Sequence, residues 1–354
     1  MAYISFGASL MFSLMLCVHL YRQRKRNGIV RILFWAMVVY ALMLLKIIPA
    51  SVLGAEADLG ISRFIYVLEL CWVPLVVVFN FSVLFPKWTT PARVIFLFIP
   101  FALLDVINWF WRTDAIYYTT LVFAILFAAT GFYFTFVATV RYNRHVKDNY
   151  SDTSHIGVTW VRGVNIIFIF WYIFTTASML QDSWYADTAK NVADITVWTV
   201  VYHYSIYHRI IEDFPDVSHL ISARPFSKMI PSSNEALEPH LSDLMTKIYA
   251  CFEIEKLYLN PNLTLNDVAT AASSNRSYIS KAINSVTGDT FFQFVNKRRI
   301  QYAVELMNDS ENKKITLEYI ARISGFNSMT TFYNFFRKDR GCTPGEYLKK
   351  MNKG

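Results

Sequence analysis

Several otherwise apolar stretches of the chain contain a charged residue away from their ends, and these residues are Lys46, Glu69, Asp105 and Asp194. A charged group in hydrocarbon is costly, so such residues face the interior of a helix bundle or an aqueous cavity and are functional-site candidates. The chemistry they suit is the binding of a polar or charged ligand. A structural role is the alternative, because a long side chain can extend to the interface and an internal ion pair needs no ligand. The sequence leaves both interpretations open.

A second group of candidates lies near the C-terminus, where the sequence nearly repeats itself. Thr264 matches Thr316 and Gly288 matches Gly341, at an offset of 52 residues that becomes 53. Each copy predicts a short helix capped by threonine, a tight turn and a second helix. This is the helix-turn-helix layout, in which the exposed face of the second helix enters the major groove of DNA.

The exposed faces of the two second helices define the predicted DNA contacts. The residues predicted to reach base edges are Ser277, Ser280, Lys281, Met329, Thr330, Tyr333 and Asn334, with Arg276 and Asn284 beside them. The residues assigned to phosphates, which position a protein without reading sequence, are Arg298, Lys314, Arg337 and Lys338. The alternative for both groups is an ordinary solvated helix face. For Arg299, which follows Arg298, the alternative to a phosphate contact is that its stem packs within the domain.

The composition indicates what kind of scaffold holds these residues. Hydrophobic residues make up 54% of the 354 residues and charged residues only 17%, and the mean hydropathy is +0.30. Soluble domains carry about 25% charged residues, so a single water-soluble domain does not fit. The net charge of +8 indicates anionic partners, either lipid headgroups or nucleic acid. The four cysteines show no CxxC spacing, so we expect free thiols and neither a disulfide framework nor a zinc site.

Seven apolar stretches are long enough, or nearly so, to cross the ~30 Å hydrocarbon core of a bilayer as helices. They lie near residues 3–21, 30–49, 64–85, 92–111, 115–140, 161–180 and 192–208. Lys and Arg are concentrated in the loops after the first, third and fifth stretches, which predicts an outside N-terminus and a cytoplasmic C-terminal part. Lys46 and Glu69 then lie near the outer ends of neighbouring spans, so we predict an ion pair or a shared ligand between them.

The composition changes after the last apolar stretch. Residues 209–239 are predicted to form a linker, because proline interrupts helices and this segment contains Pro215, Pro225, Pro231 and Pro239. From residue 240 onward, charged residues are plentiful and basic residues are in excess. We therefore predict a membrane domain over 1–208, a cytoplasmic linker over 209–239 and a soluble, basic domain over 240–354.

Residues ~240–350 resemble the DNA-binding domain of the AraC/XylS family of bacterial transcription regulators. The stretches that carry the resemblance are 258–261, 263–265, 277–281, 294–296, 299–300, 320–321, 325–326 and 343–344. The resemblance implies two helix-turn-helix units joined by a helix over roughly 291–307, with the two second helices reaching successive major grooves about 34 Å apart. Two departures stand out. Ser273 replaces the usual glycine of the first turn, and seven membrane spans occupy the place of the sugar-binding domain found in many members.

The predicted fold is all-α: a seven-helix transmembrane bundle followed by a cytoplasmic domain with two helix-turn-helix units. The predicted function is a membrane-embedded, sequence-specific transcription regulator in the bacterial inner membrane, with the membrane domain as sensor. The alternatives are a passive membrane tether, or a transporter or intramembrane enzyme with a DNA-binding tail. The sequence has no HExxH, GxSxG or Walker A motif, so we expect no enzymatic activity, cofactor or metal. The expected partners are double-stranded promoter DNA, the lipid bilayer, RNA polymerase, a small-molecule or envelope signal, and a second copy of the chain.

Overall fold

The protein is divided into two compact units in a computed structural model, which describes residues 2–25, 28–45, 64, 67–111, 113–179, 184–209, 238–309 and 315–351. One unit comprises Met1–Tyr142 and Val158–Ala223, and the other comprises Asn143–Gly157 and Arg224–Gly354. Within the described residues the secondary structure is helical, apart from one isolated bridge between Tyr150 and Thr264. The prediction of an all-α chain is confirmed.

The first unit contains seven helices within the described residues. They are α1 (Ala2–Gln23), α2 (Gly28–Leu44), α3 (Trp72–Leu84), α4 (Pro91–Phe110), α5 (Asp114–Asn149, which ends in the second unit), α6 (Thr159–Met179) and α7 (Trp184–Tyr207). Helix α1 packs against α2 and α7, α6 packs against α7, and α2 also packs against α3. At the centre, the rings of Tyr40, Trp72 and Trp198 lie 5.3–5.7 Å apart and bury a large apolar area.

Four helices in the described residues are long and apolar enough to cross a membrane. They are Ile4–Gln23, Val67–Leu84, Pro91–Phe110 and Asp114–Asn149, and they coincide with four of the seven predicted spans. The predicted spans 30–49 and 161–180 overlap two shorter apolar helices, Gly28–Leu44 and Thr159–Phe174. The last predicted span lies in α7, which carries several charged residues in its first half. The total of seven spans stays a prediction.

The second unit contains seven more helices within the described residues, and the two halves of one long helix pack into different cores. The helices are α8 (Glu238–Glu253), α9 (Leu265–Ala271), α10 (Arg276–Thr287), α11 (Phe291–Asn308), α12 (Leu317–Ile323), α13 (Met329–Arg340) and α14 (Pro344–Met351), with a 3-10 turn at Leu257–Leu259. The first half of α11 packs with α8, α9 and α10 through Phe291, Phe294 and Val295. Its second half packs with α12, α13 and α14 through Ile300, Ala303 and Met307. The predicted helix over 291–307 is confirmed.

The repeated sequence produces repeated helix ends. Thr264 caps α9 by accepting from the backbone N–H of Asp267, and Thr316 caps α12 by accepting from that of Tyr319, so both predicted threonine caps are confirmed. Gly288 and Gly341 end α10 and α13 with φ of 71° and 72°, in the left-handed region that favours glycine. The two helix pairs are therefore built by the same local rules.

The two units divide the chain differently from the sequence-based domains between α5 and α6. Residues 143–157, between α5 and α6, belong to the compact unit that contains the C-terminal helices. The predicted linker over 209–239 lies almost entirely outside the described residues. All four cysteines lie in the described part of the chain and are free thiols, as predicted.

Candidate nucleic-acid interface

Helix α10 exposes most of its predicted DNA-contacting side chains. Its apolar face, formed by Ile279, Ala282 and Ile283, is fully buried. On the remaining faces, Arg276, Ser277 and Asn284 are exposed, and Ser280 and Lys281 are half-buried. The Asn275 side chain accepts from the backbone N–H of Tyr278 and starts the helix. The first turn of α10 therefore presents a basic and a hydroxyl side chain to the surroundings.

Helix α13 has the same arrangement. Phe332 and Phe336 are buried, and the Ser328 hydroxyl accepts from the backbone N–H of Thr331 to cap the helix. The exposed predicted residues are Thr330, Tyr333, Asn334, Arg337 and Lys338. Met329 is half-buried and packs against the second core, so part of its side chain is engaged within the unit.

The basic residues assigned to phosphates fall into different surroundings. Arg337 and Lys338 are exposed in the last turn of α13. Arg298 donates to the Glu253 carboxylate at 2.8 Å and lies 3.7 Å from that of Glu305. Its guanidinium also lies over the ring of Tyr258. Because Arg298 has these partners in the protein, its contact with phosphate stays a prediction. Lys314 lies outside the described residues.

Lys147 is a basic residue near this surface that the sequence analysis did not select. It lies in the last turn of α5, in the part of that helix that belongs to the second unit. Together with Asn334 and Lys338 it lines an open cleft of about 370 Å³ beside the start of α11. Two ammonium groups at one cleft raise the local positive potential, which favours an anionic partner. The sequence carried no signal for Lys147, because it lies far from the repeat.

Arg299 is the buried centre of the second unit. Its side chain is 1% exposed and donates to the carbonyls of Tyr258 and Asn260 at 2.7 Å each. It also donates to the Ser151 carbonyl at 3.3 Å and to the Ser151 hydroxyl at 3.0 Å. Burial lowers the pKa of Arg299 to about 10, and the neighbouring Asp152 carboxylate opposes this shift. Arg299 therefore stays charged at neutral pH, and the alternative that it packs inside the domain is confirmed.

The backbone of Gly325 packs closely against the Arg299 side chain and the Tyr258 carbonyl. Its φ is +87°, and a Cβ atom there would lie 2.6 Å from the Tyr258 carbonyl oxygen and 3.0 Å from Arg299 Nε. Only glycine fits such a contact with a backbone carbonyl. At the matching position of the first repeat, Ser273 adopts a φ of +49°, so this serine occupies the left-handed region that Gly325 also occupies.

The three carboxylates of the predicted polar site have separate partners in the first unit. Asp194 is 1% exposed and accepts hydrogen bonds from the Tyr40 hydroxyl, at 2.8 Å, and from the Trp171 indole. Asp105 accepts from the Cys71 thiol at 3.6 Å. Glu69 lies 4.0 Å from Lys190.

Two consequences follow for the predicted polar site. Lys190 is a partner of Glu69 that the sequence analysis did not identify, because Lys190 precedes the last predicted span, 192–208. Lys46 lies outside the described residues, so its pairing with Glu69 stays a prediction. In the described part of the chain, no group of three His, Cys, Asp or Glu side chains has the arrangement of a metal site.

Comparison with known proteins finds sequence similarity in the second unit. Residues 268–350 match the family model described as a helix-turn-helix domain. The chain is 31% identical over 123 residues to the TCP pilus virulence regulatory protein of Vibrio cholerae, covering 35% of this chain and 42% of that protein. It is 32% identical over 87 residues to the melibiose operon regulatory protein of Escherichia coli, covering 25% of this chain and 28% of that protein.

A third relative is the RCS-specific HTH-type transcriptional activator RclR of Escherichia coli, 27% identical over 88 residues, which are 25% of this chain and 30% of the relative. The chain thus spans less than half the length of each of these proteins. No solved structure matches the chain. The predicted resemblance of the C-terminal part to the AraC-type DNA-binding domain is confirmed.

Proposed function

We propose that this protein is a membrane-embedded transcription regulator that binds promoter DNA in a sequence-specific way. The observation that carries the proposal is the pair of equivalent helices, α10 and α13, which bury their apolar faces and expose polar and basic side chains. Both are supported by one helix, α11, in the part of the chain that matches a helix-turn-helix family. In this proposal each pair is a helix-turn-helix unit, and α10 and α13 enter successive major grooves.

The membrane location is supported by the surfaces of the apolar helices. Helix α4 exposes Ile95, Phe96, Leu103 and Phe110, and α5 exposes further large apolar side chains along its length. An apolar surface of this extent is unfavourable in water, and a bilayer covers it without a protein partner. We propose seven spans, an outside N-terminus and a cytoplasmic DNA-binding unit in the bacterial inner membrane, since basic residues are concentrated in the inner loops.

A regulatory role is supported by the relatives, whose names describe transcriptional activators or operon and virulence regulators. We propose the same regulatory role for this chain. Its proposed partners are RNA polymerase and a second copy of the chain. For the membrane unit we propose sensing of a small-molecule or envelope signal. The buried Asp194 with its Tyr40 and Trp171 donors supports a defined polar centre in that unit. A passive tether is the competing role.

The test is recovery and sequencing of DNA crosslinked to the full-length protein in its own cells. We expect a small set of promoter fragments that share one sequence pattern with two half-sites. The informative variant is Ser277→Glu combined with Thr330→Glu, which places negative charge on the exposed faces of α10 and α13 and repels phosphates. The matched control, Ser242→Glu combined with Thr246→Glu, adds the same two negative charges to exposed positions of α8. Fragments recovered equally by the wild type and the interface variant would contradict the proposal.

A further inference from the structure

The segment that joins α5 to α6 is built into the C-terminal unit. Residues 150–157, here called the docking segment, belong to the same compact unit as residues 224–354. The backbone N–H of Ser151 donates to the Leu263 carbonyl at 3.1 Å, and Tyr150 forms an antiparallel bridge with Thr264, the cap of α9. The docking segment is therefore held by backbone hydrogen bonds at the start of the first helix pair.

Ser151 also completes a buried polar network. It is 1% exposed, and its carbonyl accepts from the Asn296 side chain at 3.0 Å and from Arg299 at 3.3 Å. Its hydroxyl oxygen lies 3.0 Å from Arg299 Nη2. Asn296 and Arg299 both lie on α11, between the residues of the two cores. A buried guanidinium is costly unless its N–H groups are hydrogen-bonded, so Ser151 supplies acceptors that the network requires.

Asp152 extends the contact to the second helix pair. Its carboxylate accepts from the Asn327 side chain at 3.1 Å, and Asn327 lies in the turn between α12 and α13. The same Asn327 nitrogen lies 3.3 Å from the Asn262 side-chain oxygen, just before α9. The Arg299 guanidinium lies 5.7 Å from the ring centroid of Phe326, in the same turn. Residues 151 and 152 thus contact both helix pairs at the point where the two cores meet.

We infer that the docking segment sets the relative position of the two helix pairs and thereby the half-site spacing that the protein recognises. This inference rests on the proposed function. Two recognition helices read one operator only when they reach major grooves about 34 Å apart, so a joint between the pairs selects the spacing. The chain enters the docking segment from α5 and leaves it into α6, so the segment comes from between two helices that continue into the first unit. The docking segment is thus a part of the second unit that lies, in the order of the chain, between two stretches of the first unit.

The experiment uses the full chain in lipid nanodiscs and the promoter fragment recovered from cells, with half-sites located by footprinting. Affinity is measured for that fragment, for fragments whose half-sites are moved by one or two base pairs, and for random DNA. The variants are Ser151→Ala and Asp152→Ala. The matched control is His155→Ala, which truncates an exposed side chain of the same docking segment.

Ser151→Ala and Asp152→Ala are each expected to weaken binding at the native spacing by about tenfold, because each removes a buried or charged hydrogen bond at the joint. Binding to random DNA is expected to change by less than about twofold, since phosphate contacts do not depend on spacing. The loss of affinity on moving the half-sites should be smaller in both variants than in the wild type. His155→Ala should behave as the wild type does.

The outcomes separate the inference from the proposed function. A wild-type chain without preference for its recovered fragment over random DNA would contradict the proposed function. A specific wild type whose variants keep its affinity and spacing dependence would overturn the inference alone. A parallel loss on specific and random DNA would also overturn it, since the segment would then only support folding. If Ser151→Ala fails to fold, the result for Asp152→Ala tests the inference. The Asp152 variant should fold, because the partner of Asp152, Asn327, is exposed and can bond to water instead.

Discussion

At the scale of single residues, the two proposed recognition helices offer different chemistry to DNA. Helix α10 presents Lys281 one turn after Ser277, whereas the exposed face of α13 presents Thr330, Tyr333 and Asn334 before its first basic residue, Arg337. Lysine suits the acceptors of guanine and asparagine suits adenine. We therefore expect α10 to read a guanine-containing half-site and α13 to read a half-site containing adenine.

The substitution Lys281→Ala tests this assignment. It should reduce discrimination in one half of the operator by about 1–3 kcal/mol, whereas Arg337→Ala should weaken binding to all sequences alike. The physical reason is that a base contact carries sequence information and a phosphate contact does not. Competition titrations with single-base operator variants measure both effects. If the two variants changed specific and random binding in the same proportion, the roles assigned to Lys281 and Arg337 would be wrong.

At the scale of elements, the turns of the two helix pairs use the same backbone shape with different residues. Gly325 has a φ of +87° and its counterpart Ser273 has a φ of +49°. A left-handed conformation costs an L-residue roughly 1–2 kcal/mol, and glycine avoids this cost while losing about 0.5–1 kcal/mol through its greater freedom in the unfolded chain. We therefore expect the first turn to be the less stable of the two.

We predict that Ser273→Gly stabilises the first helix pair by about 0.5–1 kcal/mol. The measurement is hydrogen exchange of the backbone amides of α9 and α10 in the full chain, which should slow. The neighbouring Ser274→Gly is the control: Ser274 has no positive φ, so glycine there should speed exchange. Gly325→Ala should have the opposite effect on the second pair, because its Cβ would collide with the Tyr258 carbonyl. Faster exchange in Ser273→Gly would show that the serine conformation is not strained.

At the scale of the whole molecule, a test of the proposed sensing needs a charged residue in the first unit whose substitution leaves the fold intact. Glu69 and Lys190 form a half-buried pair at 4.0 Å, whereas Asp194 is fully buried under two donors. Removing the acceptor of two buried donors is destabilising, whereas a loose pair contributes little. Glu69 is therefore the better site at which to separate sensing from structure.

We expect Glu69→Gln to leave membrane insertion and DNA affinity unchanged and to alter transcription from the target promoter across growth conditions. Asp194→Asn is the structural comparison and should lower the yield of inserted protein. Promoter output is measured with a transcriptional reporter, and insertion is measured by fractionation. The charge-swapped variant Glu69→Lys with Lys190→Glu should restore the response if the two residues act as a pair. A reporter response identical in wild type and Glu69→Gln would favour the passive tether.

The sequence alone determined the features that depend on neighbouring residues. Apolar runs predicted long membrane-compatible helices, and the repeat predicted two helix pairs with threonine caps at Thr264 and Thr316, because periodicity and capping act over a few residues. The resemblance to the AraC/XylS family showed that Ser273 stands where glycine is usual, whereas the positive φ of this serine was visible only in the structure.

Only the tertiary structure decided the contacts between distant parts of the chain. Ser151 and Arg299 are 148 residues apart, and neither has a sequence pattern that identifies the other. Their meeting depends on the hydrogen-bonding needs of a guanidinium that becomes buried only when both helix pairs pack on α11. The same holds for Glu69 with Lys190 and for Arg298 with Glu253, because burial and charge pairing are settled by packing in three dimensions.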